Sequence, residues 1–314
     1  MSLFITKVID SFVGKDFFWW VSLLRKVIKN PHFIFARFIY NCKRFFYDIF
    51  AKLGFIKYEY NIIFIAGMPM SATTWIKTMV ARIPGYFVRT TPMAHHIASR
   101  QDISYSAFKY TPNYGYTLFK THLNPSEDNI RILLDSNVKK VIVSYRDYRD
   151  VVIARYYRLI SVPKRTRDPH YMDYTQLTKE EAINHCIDVV ADDYVDWIEG
   201  WVAVSQQRDG FVHFCRFEKL LDNPLYEFNC ILKFYKITLN TNLISNIVSA
   251  TLGKGDMVDN INKGTLQSWA FSSNFRSGKV GGWEADFNAA NKDYFKTRLG
   301  QALISLGYET NMDW

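Results

Sequence analysis

The feature that most constrains the fold of this chain is a short apolar run that leads into a turn and then into a helical pattern. Residues 61–66 read Asn-Ile-Ile-Phe-Ile-Ala, which is typical of a buried strand. Residues 67–72 form a loop, and from Thr73 onward the residues Trp75, Ile76, Met79 and Val80 recur at helical spacing. The sequence therefore predicts a strand, a loop and a helix in succession. Such a loop aims backbone N–H groups and a helix dipole at one point, which suits a phosphate.

The same alternation continues along the chain. The pattern predicts the following elements: a strand over residues 116–120, a strand over 139–145 with a helix through Tyr157, a helix over 180–207, and a strand over 210–217 with a helix through Tyr235. Trp197 and Trp201 lie four apart in the third of these and are interpreted as core residues. Alternating strands and helices predict an α/β fold with three layers, a central parallel sheet with helices on both faces. Ligands of such sheets bind at the carboxyl ends of the strands.

Composition is that of one large folded domain. Of the 314 residues, 48% are hydrophobic and 22% are charged, which excludes a disordered chain. No linker, low-complexity tract or internal repeat divides the sequence. We therefore expect a domain over residues 59–314 preceded by a helical extension over residues 1–58. Four scattered cysteines without metal-ligand spacing point to a reducing, cytoplasmic environment.

The extension is rich in aromatic and basic side chains. Its longest uncharged run is too short to span a bilayer, which requires about 20 apolar residues. The apolar run over residues 17–24 leads into Arg25 and Lys26 instead of a small-residue cleavage site, so a signal peptide is not expected. Two interpretations stay open. The extension forms helices that pack on the main domain, or it forms an amphipathic helix that lies on a membrane surface or docks a partner.

The formal net charge is +9. Positive potential concentrates anions before any specific contact forms, so the charge favours a polyanionic ligand. A nucleic-acid partner is not expected, because the basic residues form no long run and no module that reads DNA or RNA accompanies them.

The loop over residues 67–75 reads Gly-Met-Pro-Met-Ser-Ala-Thr-Thr-Trp. It lacks the Gly-Lys-[Ser/Thr] ending of a Walker loop, which disfavours a kinase or another NTPase. The segment resembles the 5'-phosphosulfate-binding loop of sulfotransferases that use 3'-phosphoadenosine-5'-phosphosulfate (PAPS), where the common form is Pro-Lys-Ser-Gly-Thr-Thr-Trp.

Further segments resemble the same family in the same order. Residues 120–123 read Lys-Thr-His-Leu, as in the family. Residues 143–151 read Val-Ser-Tyr-Arg-Asp-Tyr-Arg-Asp-Val and look like the family's Tyr-Arg-Asp-Pro-Arg-Asp-Val, with Arg146 in the place of the arginine that holds the 3'-phosphate. Arg149 and Asp150, by contrast, are also compatible with solvated charges on a helix surface.

Two more matches lie towards the C-terminus. Residues 276–283 read Arg-Ser-Gly-Lys-Val-Gly-Gly-Trp and, with Phe287, are similar to the family's Arg-Lys-Gly-x-x-Gly-Asp-Trp-Lys-x-x-Phe box. A weaker match is Phe-Glu-Lys-Leu-Leu at residues 217–221, which resembles Tyr-Glu-Asp-Leu-Leu with its ring near the adenine. The resemblance runs from about residue 61 to the C-terminus and implies a P-loop-type fold.

The resemblance also implies the roles of individual residues. The donor would be PAPS and the product PAP, without a metal ion. His122 would act as general base and Lys120 would stabilise charge on the transferring group or the departing oxygen. The nucleotide-binding residues would be Ser71, Ala72, Thr73 and Thr74 on the 5'-phosphate, Trp75 on the adenine, and Arg146, Arg276, Ser277 and Gly278 around the 3'-phosphate.

Four departures from the family pattern affect this site. Met70 replaces the loop lysine, and Ala154 replaces a serine eight residues beyond Arg146. Ser277 replaces a lysine, and Phe217 replaces a tyrosine. Retention of Lys120 and His122 favours an active enzyme.

The acceptor is expected to be a small organic hydroxyl or amine. Its pocket walls are expected in residues 85–116, which contain His95, His96, Tyr105, Phe108 and Tyr110, and in the insertion or lid over residues 161–179. Three alternatives stay open: a nucleotide-binding protein with little activity on the same fold, a P-loop kinase or other NTPase, and a membrane-associated carbohydrate or lipid sulfotransferase. The sequence does not define the oligomeric state.

Overall fold

The computed structural model describes residues 31–89, 93–96, 101–109, 111, 115–161, 173–252 and 280–314. Its centre is a sheet of five parallel strands, in the order β2-β5-β1-β6-β7. The strands are β1 Ile62–Gly67, β2 Tyr86–Val88, β5 Tyr116–Thr121, β6 Val141–Tyr145 and β7 Val212–Arg216. Strands β3 Met93–His96 and β4 Gln101–Ile103 form a separate antiparallel pair.

Nine α-helices lie in the described segments. They are α1 Pro31–Lys52, α2 Thr73–Val80, α3 Glu127–Asp135, α4 Tyr148–Ser161, α5 Lys179–Gln207, α6 Phe217–Asp222, α7 Pro224–Phe234, α8 Thr241–Leu252 and α9 Ala289–Ser305. Short 3₁₀ turns occur at Tyr105–Ala107, Tyr174–Gln176 and Gly282–Ala285.

The side chains of β1 alternate between two apolar cores because successive residues of a strand point to opposite faces. Phe64 and Ala66 belong to the core that contains residues of α4, α5 and α9. Ile63 and Ile65 belong to the core that contains residues of α2, α7 and α8. This arrangement confirms the α/β fold with helices on both faces of a central parallel sheet.

The predicted strands are present with ends that differ by one or two residues. The helix expected from residue 217 through Tyr235 is two helices, α6 and α7. The break occurs at Asn223, whose side-chain oxygen accepts from the backbone N–H of Tyr226 at 3.0 Å, and Pro224 then begins α7. Both residue types favour helix starts. The sequence patterns did not predict the short strands β2, β3 and β4.

The prediction that Trp197 and Trp201 are core residues is confirmed. Both are buried in α5, and their rings lie 6.2 Å apart. Each indole N–H donates to the carbonyl of Leu123, at 2.7 Å and 3.2 Å. The helix therefore anchors the segment that follows β5.

The described part of the N-terminal extension contains α1. Its inner face packs on Phe87 of β2, with ring centres 5.3 Å away at Tyr40 and 5.7 Å away at Tyr47. Tyr40 also donates to the carbonyl of Val88 at 3.2 Å. In the described segments, every helix is too short or too polar to cross a bilayer.

Candidate active site

The loop after β1 is held by one buried serine. Ser71 is fully buried, and its hydroxyl bonds the carbonyl of Met68 at 2.6 Å, the carbonyl of Ser144 at 3.0 Å and the hydroxyl of Ser144 at 2.8 Å. These contacts tie the loop to the end of β6. A Cβ atom at Gly67 would lie 1.8 Å from Thr73 Cγ2, so the close approach of the loop requires glycine there.

Two loop residues adopt left-handed backbone conformations. Met70 has φ 70° and Ala72 has φ 63°. Residues other than glycine rarely adopt this region, because the Cβ atom crowds the backbone. The loop thus turns sharply into α2 at the cost of backbone strain.

The N-terminus of α2 presents backbone N–H groups that precede the first hydrogen bond of the helix. Ala72 is the N-cap residue and has no side chain that caps the helix. The first helical hydrogen bond runs from Ile76 to the carbonyl of Ala72 at 3.1 Å, so the N–H groups of Thr73, Thr74 and Trp75 precede it. Free amides and the positive end of the helix dipole together bind anions. The expected phosphate-binding residues are therefore adjacent at one helix end.

Trp75 faces the core beside α8. Its indole N–H donates to Thr251 Oγ1 at 3.1 Å, and its side chain is buried. Thr251 in turn donates to the carbonyl of Val248 at 2.8 Å. Stacking of Trp75 on an adenine remains a prediction.

Lys120 and His122, the two predicted catalytic residues, lie next to each other. Lys120 lies near the carboxyl end of β5, next to Ile65 of β1, and His122 follows the strand. Lys120 Nζ lies 3.2 Å from His122 Nε2. His122 Nδ1 bonds the carbonyl of Gly67, which only accepts, so Nδ1 carries the proton. The neutral ring therefore presents the lone pair of Nε2.

The surroundings keep His122 neutral and weaken the charge of Lys120. Burial and the nearby Lys120 charge lower the pKa of His122 from 6.5 to about 3. Burial, followed by the charges of Lys77 and Arg158, lowers the pKa of Lys120 from 10.5 to about 8. An unprotonated imidazole beside an ammonium group can accept a proton while the cation stabilises negative charge.

Gln101 is a positioning residue that sequence reasoning missed. Its side-chain oxygen accepts from the backbone N–H of His122 at 2.7 Å, and its own N–H donates to the His122 carbonyl at 3.0 Å. Its carbonyl accepts from the N–H of Asn124 at 2.9 Å. Gln101 belongs to β4, outside the main sheet, and no local pattern links it to the histidine.

Arg146 lies at the end of β6, over the loop. Its guanidinium donates to the Met70 carbonyl at 3.4 Å and pairs with Asp150 at 3.3 Å. The guanidinium carbon is 4.2 Å from the centre of the Phe217 ring. Phe217 is itself buried, so it supports Arg146.

Interpreting Arg149 and Asp150 as solvated charges is wrong. Both side chains are buried. Asp150 accepts from the backbone N–H groups of Gly281 at 3.1 Å and Trp283 at 3.3 Å. Arg149 pairs with Asp147 at 2.7 Å and lies 4.5 Å from the Trp283 ring. Both side chains are buried because the C-terminal segment covers this face of α4. It supplies backbone N–H groups to Asp150 and the ring of Trp283 to Arg149.

The remaining predicted site residues lie partly outside the described residues. These are Arg276, Ser277 and Gly278 of the C-terminal box, most of the predicted lid, and Tyr110 of the pocket walls. For His95 and His96 the structure describes the backbone of β3 alone. Ala154 is partly buried on α4.

Phe108 is not a pocket wall, contrary to the prediction. It is buried in the core, 5.0 Å from the Phe119 ring and 6.4 Å from the Phe64 ring. An aromatic residue beside a sheet gains more free energy by burial than by exposure in an empty pocket. Tyr105 is about half exposed, and its hydroxyl donates to Asp135 at 2.7 Å.

The described residues contain no cluster of three or more His, Cys, Asp or Glu side chains that could hold a metal ion.

The chain is similar to known proteins in sequence and in fold. A family model described as the sulfotransferase domain matches residues 61–307. Carbohydrate sulfotransferase 1 from Danio rerio is 25% identical over 204 residues, which cover 62% of this chain and 44% of that protein. The match therefore spans less than half the length of that relative.

Two solved structures of similar fold contain PAP. The mouse sulfotransferase SULT7A1 complexed with PAP has a TM-score of 0.59 and 17% identity, and the match covers 81% of this chain and 89% of that one. Retinol dehydratase with androsterone and the inactive cofactor PAP has a TM-score of 0.53 and 14% identity, with 77% and 80% covered. Because the family model covers most of the chain, this protein belongs to the sulfotransferase family.

Proposed function

We propose that this protein transfers the sulfuryl group of PAPS to a hydroxyl or amine of a small organic acceptor, with His122 as general base. The observation that carries the proposal is the pairing of His122 Nε2 with Lys120 Nζ at 3.2 Å, beside the uncapped N-terminus of α2. An unprotonated base, a cation and an anion site thus lie together at the carboxyl ends of β1 and β5.

The residues present fit PAPS. The amides of the loop and of Thr73 and Thr74 suit the 5'-phosphosulfate. Arg146 would bind the 3'-phosphate, together with Arg276, Ser277 and Gly278 from the C-terminal box. Trp75 would contact the adenine. We place this site in a domain over residues 59–314. Both solved structures described above contain PAP, which supports this choice of donor.

The reaction is an in-line displacement at sulfur. The acceptor's O–H or N–H proton passes to His122 Nε2, and the acceptor atom forms a bond to sulfur. The bond between sulfur and the bridging oxygen breaks, and its electron pair stays on the 5'-phosphate of PAP. Lys120 stabilises the charge that develops on the transferring group and on the departing oxygen. Negative charge on the bound donor raises the pKa of both side chains, which makes His122 a stronger base.

The direct test combines labelled PAPS with a panel of phenols, alcohols and amines. We expect transfer to at least one acceptor. His122→Ala should lower kcat by about 10²- to 10⁴-fold and leave the dissociation constant of PAP nearly unchanged, because a general base acts in the transition state. Arg276→Ala should instead weaken PAP binding.

Each alternative has its own result in this experiment. Tight binding of PAP without transfer to any acceptor would indicate a nucleotide-binding protein on a sulfotransferase fold. Magnesium-dependent hydrolysis of ATP would indicate an NTPase. Unchanged turnover in His122→Ala would remove His122 from its role.

A membrane-associated carbohydrate or lipid sulfotransferase is the second candidate. One of the relatives is a carbohydrate sulfotransferase. An exposed stripe rich in apolar side chains runs along α1 and into the residues that follow it, and these side chains are Ile39, Phe45, Phe46, Phe50, Leu53 and Phe55. Exposed Lys43 and Lys52 accompany this stripe, and an amphipathic helix with basic residues binds anionic lipid surfaces.

Vesicle binding separates the two candidates. For the second candidate, sedimentation with vesicles that contain phosphatidylserine should capture the protein, and the double variant Phe46→Glu and Phe50→Glu should reduce capture at least tenfold. Leu225→Glu with Tyr226→Glu changes two other exposed apolar side chains and serves as control. Absence of capture would leave the small-molecule, cytoplasmic candidate. The four cysteines form no disulfide among the described residues, which is compatible with that location.

A further inference from the structure

The ring of Trp314 lies against a buried guanidinium of α4. The guanidinium carbon of Arg149 is 4.5 Å from the centre of the Trp283 ring and 4.5 Å from the centre of the Trp314 ring. The two rings lie 5.6 Å apart and are nearly perpendicular, and Phe295 of α9 packs on Trp314 with 5.8 Å between ring centres. An aromatic ring attracts a guanidinium most strongly where water is excluded. Trp314 therefore helps to hold Trp283 on α4.

Two carboxylates complete the surroundings of Arg149. Its guanidinium forms ion pairs with Asp147 and with Glu309, and the side chains of Arg149 and Asp147 are buried. Removal of such charges from water costs free energy that their pairing only partly restores, so buried ion pairs add little net stability. The cluster is better explained by the geometry that it fixes than by the stability that it adds.

Tyr308 reaches the same part of the chain through Glu218. The Tyr308 hydroxyl donates to Glu218 Oε2 at 2.8 Å, and Glu218 Oε1 accepts from the backbone N–H of Asp147 at 3.0 Å. Arg146 directly precedes Asp147 in the sequence. The segment over residues 308–314, which follows α9, therefore restrains the backbone next to Arg146.

The end of the C-terminal box is held at this place too. Asp150 accepts from the backbone N–H groups of Gly281 and Trp283 and pairs with Arg146. Trp283 is thus held at two points, its backbone by Asp150 and its ring by the contacts described above. In the proposed complex Arg146 binds the 3'-phosphate. Loss of the Trp314 ring would therefore loosen the end of the box beside Arg146 and leave the anion site at the N-terminus of α2 as it is.

We infer that Trp314, acting through Arg149 and Trp283, is a positioning residue for the 3'-phosphate side of the nucleotide site. The inference rests on the proposed binding of PAPS. The indole N–H of Trp314 is buried and has no hydrogen-bond partner among the described residues, so Trp314 acts through the contacts of its ring. A phenyl ring at this position keeps a ring for Arg149, whereas the methyl group of alanine removes it.

Binding of two nucleotides tests this role. PAP carries a 3'-phosphate and a 5'-phosphate, and 5'-AMP lacks the 3'-phosphate. Trp314→Ala should raise the dissociation constant of PAP about tenfold, the effect of one weakened contact to a charged group, and that of 5'-AMP less than about threefold. Trp314→Phe should keep the dissociation constant of PAP within about threefold of the wild-type value. Titration calorimetry measures each constant. Equal losses for the two nucleotides, or no loss for PAP, would overturn the inference.

Two control variants separate this role from a loss of stability. Phe228→Leu truncates a buried ring of α7 in the other core, so it should destabilise the protein and leave PAP affinity unchanged. Met312→Ala changes a half-exposed neighbour of Trp314 that packs over Gly300, and it should also leave PAP affinity unchanged. If PAP affinity falls as much in Phe228→Leu as in Trp314→Ala, the loss follows stability and the inference is wrong.

Turnover keeps this inference distinguishable from the proposed function. In Trp314→Ala the KM for PAPS should rise about tenfold, while kcat at saturating PAPS should change by less than about threefold, because the lost restraint acts on binding. A loss of affinity specific to PAP, in a protein that transfers to no acceptor, would retain the role of Trp314 and overturn the sulfuryl transfer. Transfer with an unchanged KM for PAPS in Trp314→Ala would retain the sulfuryl transfer and overturn the role of Trp314.

Discussion

At the scale of single residues, the proposed chemistry depends on two side chains with one hydrogen bond between them. The carbonyl of Gly67 fixes the proton of His122 on Nδ1, and the Lys120 ammonium faces the other ring nitrogen. Burial of both groups in a positive environment disfavours protonation of each. The ring is thus unprotonated at neutral pH, and Lys120, whose pKa is lowered to about 8, is the group of the pair that titrates closer to neutrality.

This pairing predicts an alkaline limb in the pH profile of kcat/KM. The lowered pKa of Lys120, about 8, means that its charge is complete below that pH and is lost as pH rises through it. With an aliphatic alcohol as acceptor, kcat/KM for PAPS should fall above about pH 8. In kcat the limb should lie at higher pH, because the bound donor is an anion.

The measurement is a steady-state profile between pH 6.5 and 10. Lys120→Arg keeps a cation that does not titrate in this range and should remove the limb. A limb that persists in Lys120→Arg would assign it to another group.

Ala72 predicts a gain in stability. A left-handed conformation costs an L-residue about 1–2 kcal/mol and costs glycine almost nothing. Ala72→Gly should therefore raise the free energy of unfolding by about 1 kcal/mol, after the added entropy of the unfolded glycine is subtracted. Urea denaturation measures the change. Ala81→Gly, at the other end of α2 with φ −65°, should destabilise the protein, and a loss in both variants would contradict the strain at Ala72.

At the scale of elements, β4 sets the position of His122. The side-chain oxygen of Gln101 accepts from the backbone N–H of His122, and the backbone N–H of Gln101 donates to the His122 carbonyl. On the other side, Trp197 and Trp201 of α5 hold the carbonyl of Leu123. The segment after β5 is therefore held from both sides by elements distant in sequence.

Gln101→Leu should weaken this positioning. It leaves the His122 N–H without its acceptor in a buried site, which costs about 1–3 kcal/mol. We expect a lower melting temperature and a kcat reduced at least tenfold, with PAP binding retained. Gln101→Glu keeps an acceptor oxygen and should retain more activity. Equal activity in the leucine and glutamate variants would show that this hydrogen bond does not position His122.

The N-terminal end of α4 links three parts of the site. Asp150 bonds Arg146 from the end of β6 and two amides of the C-terminal segment. A carboxylate that accepts several such bonds in a buried site is stabilised by charge-assisted contacts. The end of the C-terminal box is thus fixed relative to Arg146.

At the scale of the whole molecule, the parallel sheet brings the motifs to one edge. Strand β1 lies between β5 and β6, so the loop, the Lys120–His122 pair and Arg146 meet at neighbouring carboxyl ends. The net charge of +9 adds a favourable potential for a polyanionic nucleotide.

The whole fold should therefore be stabilised by PAP. A ligand at 100 times its dissociation constant adds about 2.7 kcal/mol to the free energy of unfolding. Thermal unfolding should shift to higher temperature with PAP, and much less with ATP and magnesium at the same concentration. A larger shift with ATP would contradict the choice of nucleotide.

Local patterns determined the positions of the main strands, of the loop after β1 and of the Lys120–His122 pair. Each depends on residues that are adjacent in sequence: an apolar run, a turn, or a Lys-x-His segment at the end of a strand. Hydrophobic periodicity and the geometry of turns are local properties, so the sequence itself contains them.

Tertiary structure alone decided which distant groups complete the site. Gln101 follows no motif, and Arg149 and Asp150 have the pattern of surface charges until the C-terminal segment covers them. Phe108 is a core residue because the sheet and neighbouring rings enclose it. Burial and charge proximity depend on how elements pack, and the packing of separate elements is a property of the folded chain as a whole.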